Sequence, residues 1–170
     1  MRGFYQIGRY SLTSFFLFCL VVLPITAAAA AAKMPHFNLT DVASGSKVDS
    51  SAYSGKAKLV VFFATWCMPC MQEVPTLMSL QEEYGEHDFT VVAISVDNRR
   101  ENVEKFVTRN EVNYPVLMFD RRVVDDFGGI PGLPTTFVVD RNDNVLKKYP
   151  GLVPHALLER EVKQIIGLTP

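Results

Sequence analysis

Cys67 and Cys70 stand two residues apart in Trp66-Cys67-Met68-Pro69-Cys70. Two thiols at this spacing can close a disulfide across one helical turn, bind a metal, or serve structure alone. The loop that such a disulfide closes is very short, so its chain-entropy effect is small, which argues against a structural staple. A structural zinc site takes about four ligands. His36, His87 and His155 are scattered, and none has ligand spacing relative to the cysteines. Cu(I) prefers soft thiolates, but no Met-rich or His-rich tract accompanies the pair. Thiol–disulfide redox chemistry fits best, with a Cu(I)-binding thiol chaperone as one rival. A peroxidatic cysteine is the other, and it wants Pro-x-x-x-Thr-x-x-Cys. Val60 and Ala64 occupy those Pro and Thr positions ahead of Cys67.

The chain has a third cysteine, Cys19, and its setting bears on the other two. Arg2 and Arg9 precede an apolar stretch from Leu12 to Leu23, Pro24 breaks it, and alanines run from Ala27 to Ala32. This is the layout of an export signal with a small-residue cleavage site. The competing reading is an uncleaved membrane anchor, since about 20 apolar residues can span a bilayer. The strongly apolar part is shorter than that, which favours cleavage. Lipid attachment at Cys19 is disfavoured by the bulky Phe18 before it. The expected division is a signal peptide over residues 1–32 and one domain over 33–170. Cys19 then leaves with the signal, and Cys67 and Cys70 remain alone in an oxidising space, which points to the periplasm.

Composition adds exclusions. The 170 residues are 48% hydrophobic, enough for a substantial core, and carry 17 basic against 18 acidic side chains. A basic surface for nucleic acid is not indicated. Removing Arg2 and Arg9 takes two positive charges from a net charge of −1 and leaves −3. Contact with a membrane is expected only through the N-terminal segment, if it is retained.

The elements around the cysteines are legible from hydrophobic pattern. Leu59 to Phe63 is a continuous β-branched and aromatic run after the polar stretch ending at Lys58, as in a buried parallel strand. From Met68 the period becomes helical, with Met71, Val74, Leu77, Met78 and Tyr84 near one face. Cys67 therefore falls at a helix N-terminus, where the partial positive charge favours a thiolate, the nucleophilic form. Cys70 lies one turn on, placed to resolve a mixed disulfide. Pro69 is tolerated in the first turn, whose N–H groups lack helical partners.

Further along, Phe89 to Val96 reads as a strand, Asn98 to Asn110 as a helix, Val116 to Phe119 as a short strand and Asp125 to Gly132 as a turn-rich loop. Thr135 to Val139 and Val145 to Tyr149 read as strands joined by a hairpin turn, and Pro154 to Ile166 as a final helix. Phe37 to Ser51 looks like a small hairpin. This order predicts an α/β fold, a central mixed sheet flanked by helices.

Several motifs in this order resemble the thioredoxin superfamily, and within it the TlpA/ResA-like exported thiol-disulfide oxidoreductases that include cytochrome c maturation factors. The similarity runs from about Pro35 to Gly167. It is carried by Ala64-Thr65-Trp66-Cys67-Met68-Pro69-Cys70, Glu73-Val74-Pro75, Ser95-Val96-Asp97, Tyr114-Pro115-Val116 and Gly132-Leu133-Pro134-Thr135-Thr136-Phe137. The helical segment Arg99 to Asn110 matches the insert that separates this group from plain thioredoxins.

The resemblance implies a thioredoxin-like fold with an N-terminal hairpin and a central helical insert. It also implies roles. Cys67 is the attacking and Cys70 the resolving thiol of a redox disulfide, and Pro134 is a cis-proline facing it, with the Leu133 backbone available to an extended substrate. A proline opening an otherwise good strand independently suggests a special turn. Trp66, Met68 and Pro69 shape the docking surface, Trp66 being expected at the surface rather than in the core.

Glu73 corresponds to a partly buried acid able to exchange protons with the thiols, with its pKa raised by burial; the alternative is a solvated helix residue like Gln72. Plain thioredoxins carry a buried Asp on the strand before the motif, where this chain has Val61. An aromatic residue usual six positions before the cis-proline is displaced here, from Gly128 to Phe127, so the adjoining loop is expected to differ in shape.

No metal or organic cofactor is implied. The implied partners are client proteins with disulfides, such as apocytochrome c or copper-site proteins, and a membrane thiol-reductant transporter.

Overall fold

The computed structural model describes residues 32–168; the export-signal expectation and Cys19 lie outside the described residues. The centre of the molecule is a pair of parallel strands, β3 (Ala57–Phe63) and β4 (Phe89–Ser95), every residue of which is buried. They pair in register from Ala57 opposite Phe89 to Phe63 opposite Ser95. Continuous Val, Ile, Leu and Phe runs suit this position because both faces of such a sheet are covered.

Around this pair the sheet completes itself from shorter strands. β1 (Asn38–Asp41) and β2 (Lys47–Asp49) form the N-terminal hairpin, β5 (Val116–Met118) joins β1 to β4, and β6 (Thr135–Val139) with β7 (Val145–Pro150) forms a second hairpin on the far side of β3. The seven strands run in the order β2-β1-β5-β4-β3-β6-β7, a mixed sheet in which β3 pairs antiparallel to β6. The hairpin turn after β6 is built by Asp140, whose carboxylate accepts from the N–H groups of Asn142 and Asn144.

Alternation along β3 divides the core in two. Leu59, Val61 and Phe63 face α1 (Met68–Tyr84) and α4 (His155–Ile166), along with Val103 of α2 (Arg100–Arg109). Val60 and Phe62 face the other way, toward Met34, Phe37, Tyr53 and α3 (Arg121–Asp126). On that side Phe62, Phe127 and Phe137 make an edge-to-face trio with ring centroids 4.9–5.9 Å apart, the arrangement that the aromatic quadrupole prefers.

Four details depart from the pattern-based expectations. β3 begins two residues early, so Lys58 is inside the sheet with no exposed side-chain surface. Its amine donates to the carbonyls of Tyr53 and Lys56 and to Asp143 at 2.6 Å, which offsets the cost of burying it. A short helix, α3, overlaps the start of the expected Asp125–Gly132 loop. Asp120 caps it by accepting from Val123 N–H at 2.7 Å, and six residues are too few for a helical period to show.

The core face of α1 is also rotated from the one expected. Cys70, Glu73, Val74, Leu77, Leu80 and Tyr84 are buried, whereas Met71 and Met78 are half-buried beside Phe106 of α2. Finally, Phe127 is a core residue at the C-terminus of α3 rather than part of an open loop. Gly128 and Gly129 follow it at φ 73° and 76°, a backbone that glycine adopts without penalty.

Candidate active site

The connection from β3 to α1 sets the two thiols. Cys67 N–H donates to Ala64 C=O at 3.1 Å, which closes a tight turn. Cys67 is then the N-cap of α1 in extended conformation (φ −88°, ψ 103°), and its Sγ accepts from Cys70 N–H at 3.3 Å. A sulfur in this place satisfies a helix N–H that otherwise lacks a partner. Cys67 and Cys70 are joined as a disulfide with Cα atoms 5.2 Å apart. Cys67 is 7% exposed and Cys70 2%, so of the two sulfur-bearing residues Cys67 is the more accessible.

The residues between and beside them are open to solvent. Trp66 is 69% and Met68 70% exposed, and Pro69 is exposed as well. The Leu133–Pro134 peptide is cis. The β3–β6 register puts Thr135 opposite Phe62, so Pro134 lies at the end of the sheet where β3 runs into the motif. Pro134 is buried and Leu133 half-buried. Pro134 C=O accepts from Gly151 N–H at 2.7 Å, which fastens the β7–α4 connection to the cis-proline turn. Leu152, next in that connection, is 46% exposed.

Glu73 is 1% exposed and belongs to the core face of α1. One oxygen, Oε1, accepts from Val153 N–H at 3.1 Å. The other, Oε2, is buried without a hydrogen-bond partner. A cavity of about 10 Å³ adjoins it, lined by Cys70, Val61, Phe63 and Tyr114 among others. Burial pushes the Glu73 carboxyl up to about 7, against the opposing effect of the Val153 hydrogen bond. The Tyr114 hydroxyl is also pushed well up, first by burial and then by the Glu73 charge. Val61 sits on the wall of the same cavity, so the carboxylate comes from the helix rather than from the strand before the motif.

The structure thus brings Cys67, Cys70 and Glu73 onto one end of α1, with Trp66, Met68 and Pro69 around them and Leu133-Pro134 at the same end of the sheet. Pattern reading missed Val153 and Tyr114 as neighbours of Glu73, and Asp97 as a neighbour of Thr65. Tyr114 and Asp97 were visible only as parts of motifs. The Val153 contact spans 80 residues and uses a backbone N–H, for which side-chain identity carries no signal.

A dithiol at the junction of a central strand and a helix, on a mixed sheet with a cis-proline beside it, defines a thioredoxin-fold thiol-disulfide oxidoreductase. The Redoxin family pattern matches residues 29–166, and the chain belongs to that family. Thiol-disulfide oxidoreductase ResA of Geobacillus thermodenitrificans is 31% identical over 139 residues, 82% of this chain and 77% of that protein. ResA of Bacillus subtilis is 30% identical over 125 residues, 73% of this chain and 69% of its own. Among solved structures, a thiol:disulfide interchange protein of the thioredoxin family from Chlorobium tepidum is 35% identical with a TM-score of 0.77, covering 83% of this chain and all of that one.

Proposed function

We propose that the protein reduces disulfides of exported client proteins, with Cys67 as nucleophile, Cys70 as resolving thiol and Glu73 as the proton-exchanging group. The observation that carries this reading is the N-cap geometry of Cys67, the more exposed cysteine, with Cys70 N–H aimed at its sulfur. Cys67 thiolate attacks a client disulfide. A Cys67–client bond forms, the client disulfide breaks, and the departing client thiolate takes up a proton. Cys70 gives its proton toward Glu73 and attacks the Cys67 sulfur. The Cys67–Cys70 bond forms and the second client sulfur leaves, so the client gains two electrons and the enzyme loses two. A carboxyl held near 7 can take and return a proton at neutral pH.

Trp66, Met68 and Pro69 offer apolar contact to the client, and Leu133-Pro134 an edge for its backbone. The N-terminal segment, residues 1–32, would export the chain to the periplasm and be cleaved there or hold it at the membrane. Apocytochrome c or copper-site proteins are the proposed clients, and a membrane thiol-reductant transporter the proposed electron source. Among the described residues no helix is long and apolar enough to cross a membrane.

The test is insulin or a Cys-x-x-Cys-His peptide disulfide as substrate, with dithiothreitol as donor. Wild type accelerates reduction, Cys67→Ser is inert, and Cys70→Ser accumulates a mixed disulfide through Cys67. Accumulation through Cys70 in Cys67→Ser, with none in Cys70→Ser, would reverse the assignment.

A further inference from the structure

Asp97 lies two residues beyond the end of β4 and is 3% exposed. Three donors converge on its carboxylate. Thr65 N–H reaches Oδ2 at 2.8 Å, the Thr65 hydroxyl reaches Oδ1 at 2.7 Å, and the Ser95 hydroxyl reaches Oδ2 at 2.8 Å. Asp97 N–H donates in turn to Ser95 Oγ at 3.1 Å. The platform is firm, because Ser95 pairs with Phe63 in the sheet and Val96 N–H donates to Phe63 C=O at 2.9 Å. Hydrogen bonds to a carboxylate are among the stronger ones, and two of these three come from a single residue.

That residue, Thr65, is in the turn between β3 and α1, two positions before Cys67. In the oxidised protein the disulfide itself ties Cys67 to α1. Reduction removes that tie, and the turn must then keep Cys67 Sγ over the first-turn N–H groups by non-covalent means. The Cys67 N–H to Ala64 C=O bond and the bond from Met71 N–H to Cys67 C=O, each 3.1 Å, act locally; the Thr65–Asp97 pair fixes the turn to the sheet.

We propose that Asp97 is a positioning residue for the nucleophile: by clamping Thr65 it holds reduced Cys67 at the N-cap of α1, where its thiolate is favoured. The inference rests on Cys67 being the attacking thiol. A carboxylate acting only through its negative charge would oppose a nearby thiolate, so clamp and charge act on Cys67 with opposite signs.

The experiment is iodoacetamide alkylation of the fully reduced protein as a function of pH, with peptide mass identifying the alkylated cysteine. Asp97→Asn is expected to slow alkylation of Cys67 at pH 7 by roughly tenfold and to move the midpoint of the profile upward. Thr65→Val, which keeps the charge and the backbone bond, is expected to slow it about threefold, and Thr65→Ser to restore the wild-type profile. Faster alkylation in Asp97→Asn, or wild-type profiles in both Asp97→Asn and Thr65→Val, would overturn the proposal. Thr65→Val and Thr65→Ser keep the question decidable if Asp97→Asn does not fold. Alkylation confined to Cys70 in the wild type would instead overturn the assignment of the nucleophile, which the mass data read separately.

Discussion

Glu73 is a buried carboxyl whose structural cost depends on pH. Burial raises it from 4.5 to about 7, so the folded protein holds a proton there that the unfolded chain releases. The contribution of Glu73 to stability is therefore fully present below pH 4.5 and is lost as pH rises toward 7, by about 3 kcal/mol at 1.36 kcal/mol per pH unit. Denaturation of the oxidised protein across this range should show wild type losing stability relative to Glu73→Gln as pH rises. Parallel curves for the two proteins would place the carboxyl near its ordinary value. The burial of Glu73 was implied by the family resemblance, since its place one turn beyond Cys70 alone left a solvated helix residue open. Its tie to Val153 was not, since the partner is a backbone group from a distant connection.

At the scale of elements, β3 and β4 were the easiest to foresee because a strand buried on both faces must be apolar throughout. Lys58 hid the true start of β3. A lysine at the sheet's interior contradicts the pattern, and its partners come from the Ser50–Tyr53 turn, from Lys56 and from the β6–β7 turn. Removing one partner of an ion pair leaves the other charge uncompensated, which costs most when the stranded charge is the fully buried Lys58 and little when it is Asp143, whose side chain is 36% exposed and can be solvated. Asp143→Asn, which also tolerates the positive φ of 61° at that position, should cost about 2 kcal/mol in urea unfolding. Lys58→Met should stay within about 1 kcal/mol of wild type. The reverse order would show that the amine is held by the carbonyls and not by the charge of Asp143. α3 escaped pattern reading for a different reason: its single buried valine, Val123, makes no period.

Across the whole molecule, the first described residues are stitched to the β6–β7 hairpin. Val145 N–H donates to Ala32 C=O and Met34 N–H to Asp143 C=O, each at 2.7 Å, and Lys33 bridges to Asn144. The β6–β7 hairpin thus holds the chain from Ala32 to Met34. Lys58 sits at the start of β3 with Asp143 beside it, and the thiols lie beyond the other end of that strand. At that second end stands Trp66, the chain's one tryptophan, 69% exposed and adjacent to Cys67. An indole beside a disulfide loses its excited state to electron transfer into the S–S bond, and regains its brightness when that bond opens. Emission at tryptophan wavelengths should rise when dithiothreitol reduces the protein, and remain unchanged by dithiothreitol in Cys67→Ser. A rise confined to the wild type would make Trp66 an optical gauge of the state of the Cys67–Cys70 bond, readable without labelling a client.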